Sequence, residues 1–105
     1  MSEPAMPKAY LVAELTINDA DIYERYRQQV VLTLEAVGAR FIVRGGARRQ
    51  MEGVDDAHHD KLRTVIVEFP SMDVALAWYA SPAYTPLIAL RRSATDSRLY
   101  FVEGA

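Results

Sequence analysis

Tyr10-Leu11-Val12-Ala13-Glu14-Leu15-Thr16-Ile17-Asn18-Asp19 changes periodicity within a few residues, and that change sets the fold. Up to Ile17 the stretch is apolar and β-branched, with Leu11, Ala13 and Leu15 two apart, the repeat of a strand with one buried face. Asn18-Asp19 then ends the run, and Asp19 is placed to accept amide hydrogens from the first turn of a helix. From Asp21 to Val37 the spacing becomes three and four: Ile22, Tyr26, Val30, Leu34 and Val37 share one helical face. Gly38 follows as a permissive C-terminal residue.

Working outward, Arg40–Arg44 reads as a second strand. A bend or bulge is expected at Gly45-Gly46, with Arg48–Glu52 continuing the extended path. The stretch 53–61 is a polar loop. Arg63–Phe69 is a third strand closed by Pro70, and Ser71 caps a helix carrying Val74, Leu76, Ala77 and Trp78. Ser81-Pro82 predicts the start of a further helix, a hydroxyl before a first-turn proline. Leu99–Val102 is the last strand.

The order strand, helix, strand, strand, helix, strand is the α+β, ferredoxin-like βαββαβ arrangement, an antiparallel sheet with helices on one face. Leu11, Ala13, Leu15, Val65, Val67, Phe69, Leu99 and Phe101 are assigned to the helix face. The opposite face carries Tyr10, Val12, Glu14, Ile42, Ile66, Glu68, Tyr100 and Val102, too apolar for water yet bearing two carboxylates. A second copy's sheet is the expected cover, giving a homodimer of the dimeric α/β-barrel type.

Val67-Glu68-Phe69-Pro70-Ser71 and Trp78-Tyr79-Ala80-Ser81-Pro82-Ala83-Tyr84, with Val43-Arg44-Gly45-Gly46-Ala47 upstream, resemble the DUF1330 family of small proteins from about Tyr10 to Gly104. The resemblance implies the same dimeric barrel and assigns no activity. In the loop 53–61 the chain departs from the family, whose members usually have a shorter connection.

One domain is expected over residues 1–105, with 1–8 a flexible N-terminal segment, because splitting sets in well beyond ~150 residues. A formal net charge of −2 over 105 residues offers no electrostatic footprint for nucleic acid or anionic lipid. With no cysteine there is neither a disulfide framework nor a thiolate site. No apolar run approaches the ~18 residues of a membrane span, and the N-terminus lacks a signal peptide's apolar core, so a cytoplasmic location is expected.

Glu14 and Glu68 are the candidate catalytic residues, since a desolvated carboxylate on the mixed face could serve as a general base. The structural alternative is an ion pair with Arg44 or Arg48. Tyr23, Tyr26, Tyr79 and Tyr84, with Arg44 and Arg48, are the candidate ligand-binding residues: amphipathic rings beside a guanidinium suit a small aromatic or carboxylate-bearing molecule. Core packing with hydroxyls at the rim is the alternative. Gly45-Gly46 lacks the lysine of a phosphate loop, and His58-His59 lacks a third ligand group, so neither a metal nor another cofactor is expected. No G-x-S-x-G elbow points to serine hydrolysis. The reading is a homodimer that binds a small, partly apolar organic molecule, with cofactor-independent acid/base or oxygenase-type chemistry as its chemical extension. The alternative is a non-catalytic metabolite-binding or association module.

Overall fold

A computed structural model describes residues 6–53 and 61–105. Within them the chain forms β1 (Ala9–Ile17), α1 (Ala20–Glu35), β2 (Arg40–Arg44), β3 (Arg63–Phe69), α2 (Met72–Tyr79), α3 (Thr85–Ala94) and β4 (Thr95–Glu103). The four strands form one antiparallel sheet in the order β2-β3-β1-β4, the ferredoxin-like order.

The local signals act through specific bonds. Asp19 accepts from the Ile22 amide at 3.0 Å and opens α1. At the other end Gly38, at φ +74°, lets the Ala39 amide reach back to the Leu34 carbonyl and the Gly38 amide to Glu35, a Schellman closure. Ser71 caps α2 through the Val74 amide.

Period-two alternation sorts the sheet faces as expected. Ala9, Leu11, Ala13 and Leu15 on β1 and Val65, Val67 and Phe69 on β3 are buried beneath the helices. On the open face Val12 stands opposite Ile66 and Tyr100, and Tyr10 opposite Glu68 and Val102. Ile42, Tyr100 and Val102 are each nearly half exposed there.

Four boundaries differ from the sequence reading. The bulge lies at Ile42, between Phe41 and Val43, and Gly45 forms only a bend at the strand end. The extra residue turns Arg44 to the helix side, where it pairs with Val65. Arg48–Glu52 does not join the sheet. Ser81-Pro82 opens a turn rather than the helix: the Ser81 hydroxyl accepts from the Tyr84 amide, and α3 begins at Thr85 with Pro86 in its first turn. β4 starts at Thr95, four residues earlier than its apolar run, because Thr95, Asp96 and Ser97 pair with Ile17, Thr16 and Leu15. Met1–Ala5 of the expected N-terminal segment, and His58-His59 with most of the 53–61 loop, lie outside the described residues. No described helix is long and apolar enough to cross a membrane.

Candidate functional site

The helix face of the sheet and the inner faces of α1 and α3 enclose a cavity of about 40 Å³. Its floor is apolar, with Leu11, Ala13, Val65 and Val67 from the strands and Val30 and Leu34 from α1. Into it come polar groups from three directions: Tyr23 and Tyr26 from α1, Tyr84 and Arg91 from the turn before α3 and from α3 itself, and Arg44 and Arg63 from the strand edge.

Tyr26 and Tyr84 meet hydroxyl to hydroxyl at 3.0 Å. Tyr84 is fully buried and its ring lies 3.9 Å from that of Trp78. Trp78 is in turn fixed by its indole N–H, which donates to Thr33 Oγ1 at 2.9 Å across to α1. Burial pushes the Tyr26 hydroxyl pKa far above its ordinary value, and the adjoining Tyr84 adds to this. Burial raises Tyr84 as well, outweighing the lowering effect of its bond to Tyr26 and of the nearby Arg91 charge. Both phenols are therefore neutral hydrogen-bonding groups at physiological pH.

Gly45 shapes the rim. Its φ of +72° suits glycine, and a Cβ there would collide with the guanidinium of Arg63, which lies across it. Arg44 stacks over the Phe41 ring with its guanidinium carbon 4.3 Å from the centroid. Arg27, also at the cavity, is held by two 2.9 Å hydrogen bonds to Glu24. An outer cleft of about 270 Å³ shares Tyr23, Arg27 and Arg63 with the cavity.

The remaining candidates stand elsewhere. Glu68 is on the open face, where it accepts hydrogen bonds from Arg40 at 3.0 Å, Tyr10 at 3.1 Å and Lys8 at 3.3 Å. Desolvation pushes its pKa up, but those three donors outweigh it and hold the carboxyl below the usual range. The sequence reading placed Arg44 or Arg48 beside it; the register instead puts Arg40 opposite Glu68. Glu14, also on the open face, lies 3.7 Å from Arg98 and 4.0 Å from Arg48. Glu68 pairs with Tyr10 and Glu14 with Thr64, so the two carboxylates stand about 13 Å apart along the strands and form no dyad. Tyr79 packs against Tyr84 and Phe101 and does not line the cavity. The structure thus joins Tyr23, Tyr26, Tyr84 and Arg44 and separates them from Glu14, Glu68, Arg48 and Tyr79. Among the described residues no group of three histidine, aspartate or glutamate side chains is arranged to hold a metal ion.

Sequence reasoning passed over Arg91. The signal was present: Tyr84, Leu87, Arg91 and Ala94 recur at spacings of three and four, and all four are buried.

Among curated proteins none matches the chain significantly. A structure of RPA0582, a protein of unknown function from Rhodopseudomonas palustris, superposes with a TM-score of 0.77 at 20% identity, covering 94% of this chain and 83% of that one. SnoaB, a cofactor-independent oxygenase from Streptomyces nogalater, gives a TM-score of 0.67 at 14% identity with 94% of each chain covered. A proposed antibiotic biosynthesis monooxygenase from Caulobacter crescentus CB15 gives 0.66 at 13% identity, covering 96% of this chain and 92% of that one. At these identities the likeness is one of fold. The chain belongs to the DUF1330 family, a domain of unknown function, which matches residues 8–105.

Proposed function

We propose that this protein binds a small, partly apolar organic molecule in the cavity between the sheet and helices α1 and α3, as a homodimer whose open sheet faces meet. The cavity's make-up carries the binding reading: aliphatic walls with a few converging hydroxyl and guanidinium groups are the composition of a ligand site. The dimer reading rests on the open face. Val12, Ile66 and Tyr100 form its central row, Ile42 and Val102 add apolar surface beside it, and the Glu68 and Glu14 ion-pair groups lie in the rows to either side. A dry centre with a charged rim is the usual anatomy of an interface, and a twofold axis lets the same patch serve both partners.

On this reading Glu14 and Glu68 are rim partners of arginine. Acid/base or oxygen chemistry without a cofactor remains an analogy with SnoaB, supported by shared fold. The cavity's small size favours a competing reading, an association module with a packing void. A thermal-shift panel of small organic molecules separates the two, because a ligand that binds only the folded state raises Tm by mass action. Binding lost on Val30→Phe, which fills the cavity, supports the site; a panel without binders supports the void. Light scattering tests the dimer against a protomer mass of 11.8 kDa. Ile66→Lys should dissociate it by leaving a charge in a dry interface, and a wild-type monomer at micromolar concentration overturns the face-to-face arrangement.

A further inference from the structure

Arg91 is 5% exposed, and the groups around it leave its charge unanswered. One terminal nitrogen donates to Ser97 Oγ at 3.0 Å, and the Tyr84 hydroxyl is a second, neutral neighbour of the guanidinium. Among the described residues its Nε has no hydrogen-bond partner and no carboxylate pairs with it. Arg63, on the strand side of the same cavity, also has a buried Nε without a partner. An arginine cannot shed its proton to escape burial, and a buried charge without a counter-ion is strongly disfavoured. The local backbone nevertheless holds Arg91 in place: Thr95 Oγ1 donates to its carbonyl at 2.8 Å, and the Asn18 and Asp19 amides both donate to Ala94.

Resting on the reading of the cavity as a ligand site, we propose that its ligand is a small carboxylate, anchored by the Arg91 guanidinium beside the Tyr26 and Tyr84 hydroxyls. A carboxylate supplies both what the guanidinium lacks, a negative charge and in-plane acceptors for its N–H groups. The apolar walls select it over a phosphate, whose oxygens on every side would face aliphatic groups, and about 40 Å³ leaves room for roughly three waters. That holds a carboxylate with a short chain, whose body meets Leu11, Ala13 and Val30. Arg44 and Arg63 at the rim draw anions toward the opening.

The test compares each acid with its neutral isostere: sodium acetate and propionate against acetamide and propionamide, with ionic strength matched by sodium chloride. Binding is read by thermal shift and by ligand-observed NMR. So few atoms give affinities on the order of millimolar. The acids should raise the wild-type Tm and the amides should not. Arg91→Met should weaken acid binding at least tenfold while leaving the unliganded Tm at or above that of wild type, because it removes an unpaired buried charge. If Arg91→Met does not fold, the acid–amide comparison on wild type decides alone. Equal binding of acid and amide, or neutral panel members binding where no acid does, overturns the carboxylate and leaves the ligand site standing. If nothing in the wider panel binds, the ligand-site reading fails with it.

Discussion

Removing one hydroxyl from the Tyr26–Tyr84 pair should destabilise the fold more than removing both. The rings stay packed in either case, since Tyr26 keeps its edge contact with Tyr84 at 6.4 Å and its contact with Tyr23 at 5.9 Å. Tyr26→Phe deletes a 3.0 Å hydrogen bond and leaves the hydroxyl of a residue with no solvent exposure beside only the Arg91 guanidinium, which donates but cannot accept its proton. A buried polar group without a partner costs about 1–3 kcal/mol, whereas exchanging both partners for apolar groups of the same shape is nearly neutral. For a domain near 100 residues, 1 kcal/mol corresponds to about 4–8 °C in Tm. Tyr26→Phe alone should therefore lower Tm by about 4–24 °C, and Tyr26→Phe/Tyr84→Phe should recover much of that. Thermal unfolding by circular dichroism, run as a double-mutant cycle, reads the coupling directly. Additive losses, with the double variant less stable than either single one, would refute the reasoning.

Four further outcomes follow from the same geometry. Gly45→Ala forces a φ of +72° on a residue with a Cβ and displaces Arg63, so urea unfolding should show a loss of about 1–3 kcal/mol. Gly46→Ala, where a Cβ meets nothing within 4 Å, should stay within about 0.5 kcal/mol of wild type. Glu68 has a lowered pKa in the folded state, so its stabilisation is present above its unfolded value of about 4.5 and is lost as pH falls through the lower folded value; Glu68→Gln should lower Tm at pH 7 and flatten that acid limb. Tyr26 and Tyr84 have raised pKa values, so their contribution is intact below pH 10 and declines as pH climbs toward the folded values, by about 1.4 kcal/mol per pH unit for each. Absorbance titration should show these two of the six tyrosines ionising only as the protein unfolds.

Strands and helices were legible where one short segment carried its own signal. Asp19 and Gly38 bound α1, and the apolar run of Arg63–Phe69 gives β3 its full length. Legibility failed where two local signals were equivalent or a distant partner decided. Ser81-Pro82 and Thr85-Pro86 are the same hydroxyl–proline pair, and which of them opens the helix depends on Tyr84 entering the core beside Trp78. Thr95, Asp96 and Ser97 have little strand character of their own and are extended because β1 pairs with them. The site suffered most from the bulge at Ile42: a one-residue insertion reverses side-chain parity, turning Arg44 toward the cavity, while Arg40, before it, reaches Glu68 on the open face. Arg91 was hidden for a different reason, because a buried unpaired guanidinium runs against the rule that charges belong at the surface.

A methyl-resolved NMR titration of the wild-type protein with sodium propionate asks directly which face of the sheet receives a ligand. The account predicts saturable shifts at Leu11, Ala13, Leu15, Val30, Val65 and Val67, which line the cavity, with Val12, Ile66 and Val102 on the open face unmoved. Shifts confined to the open-face methyls, or none at any residue up to saturating concentration, would contradict it.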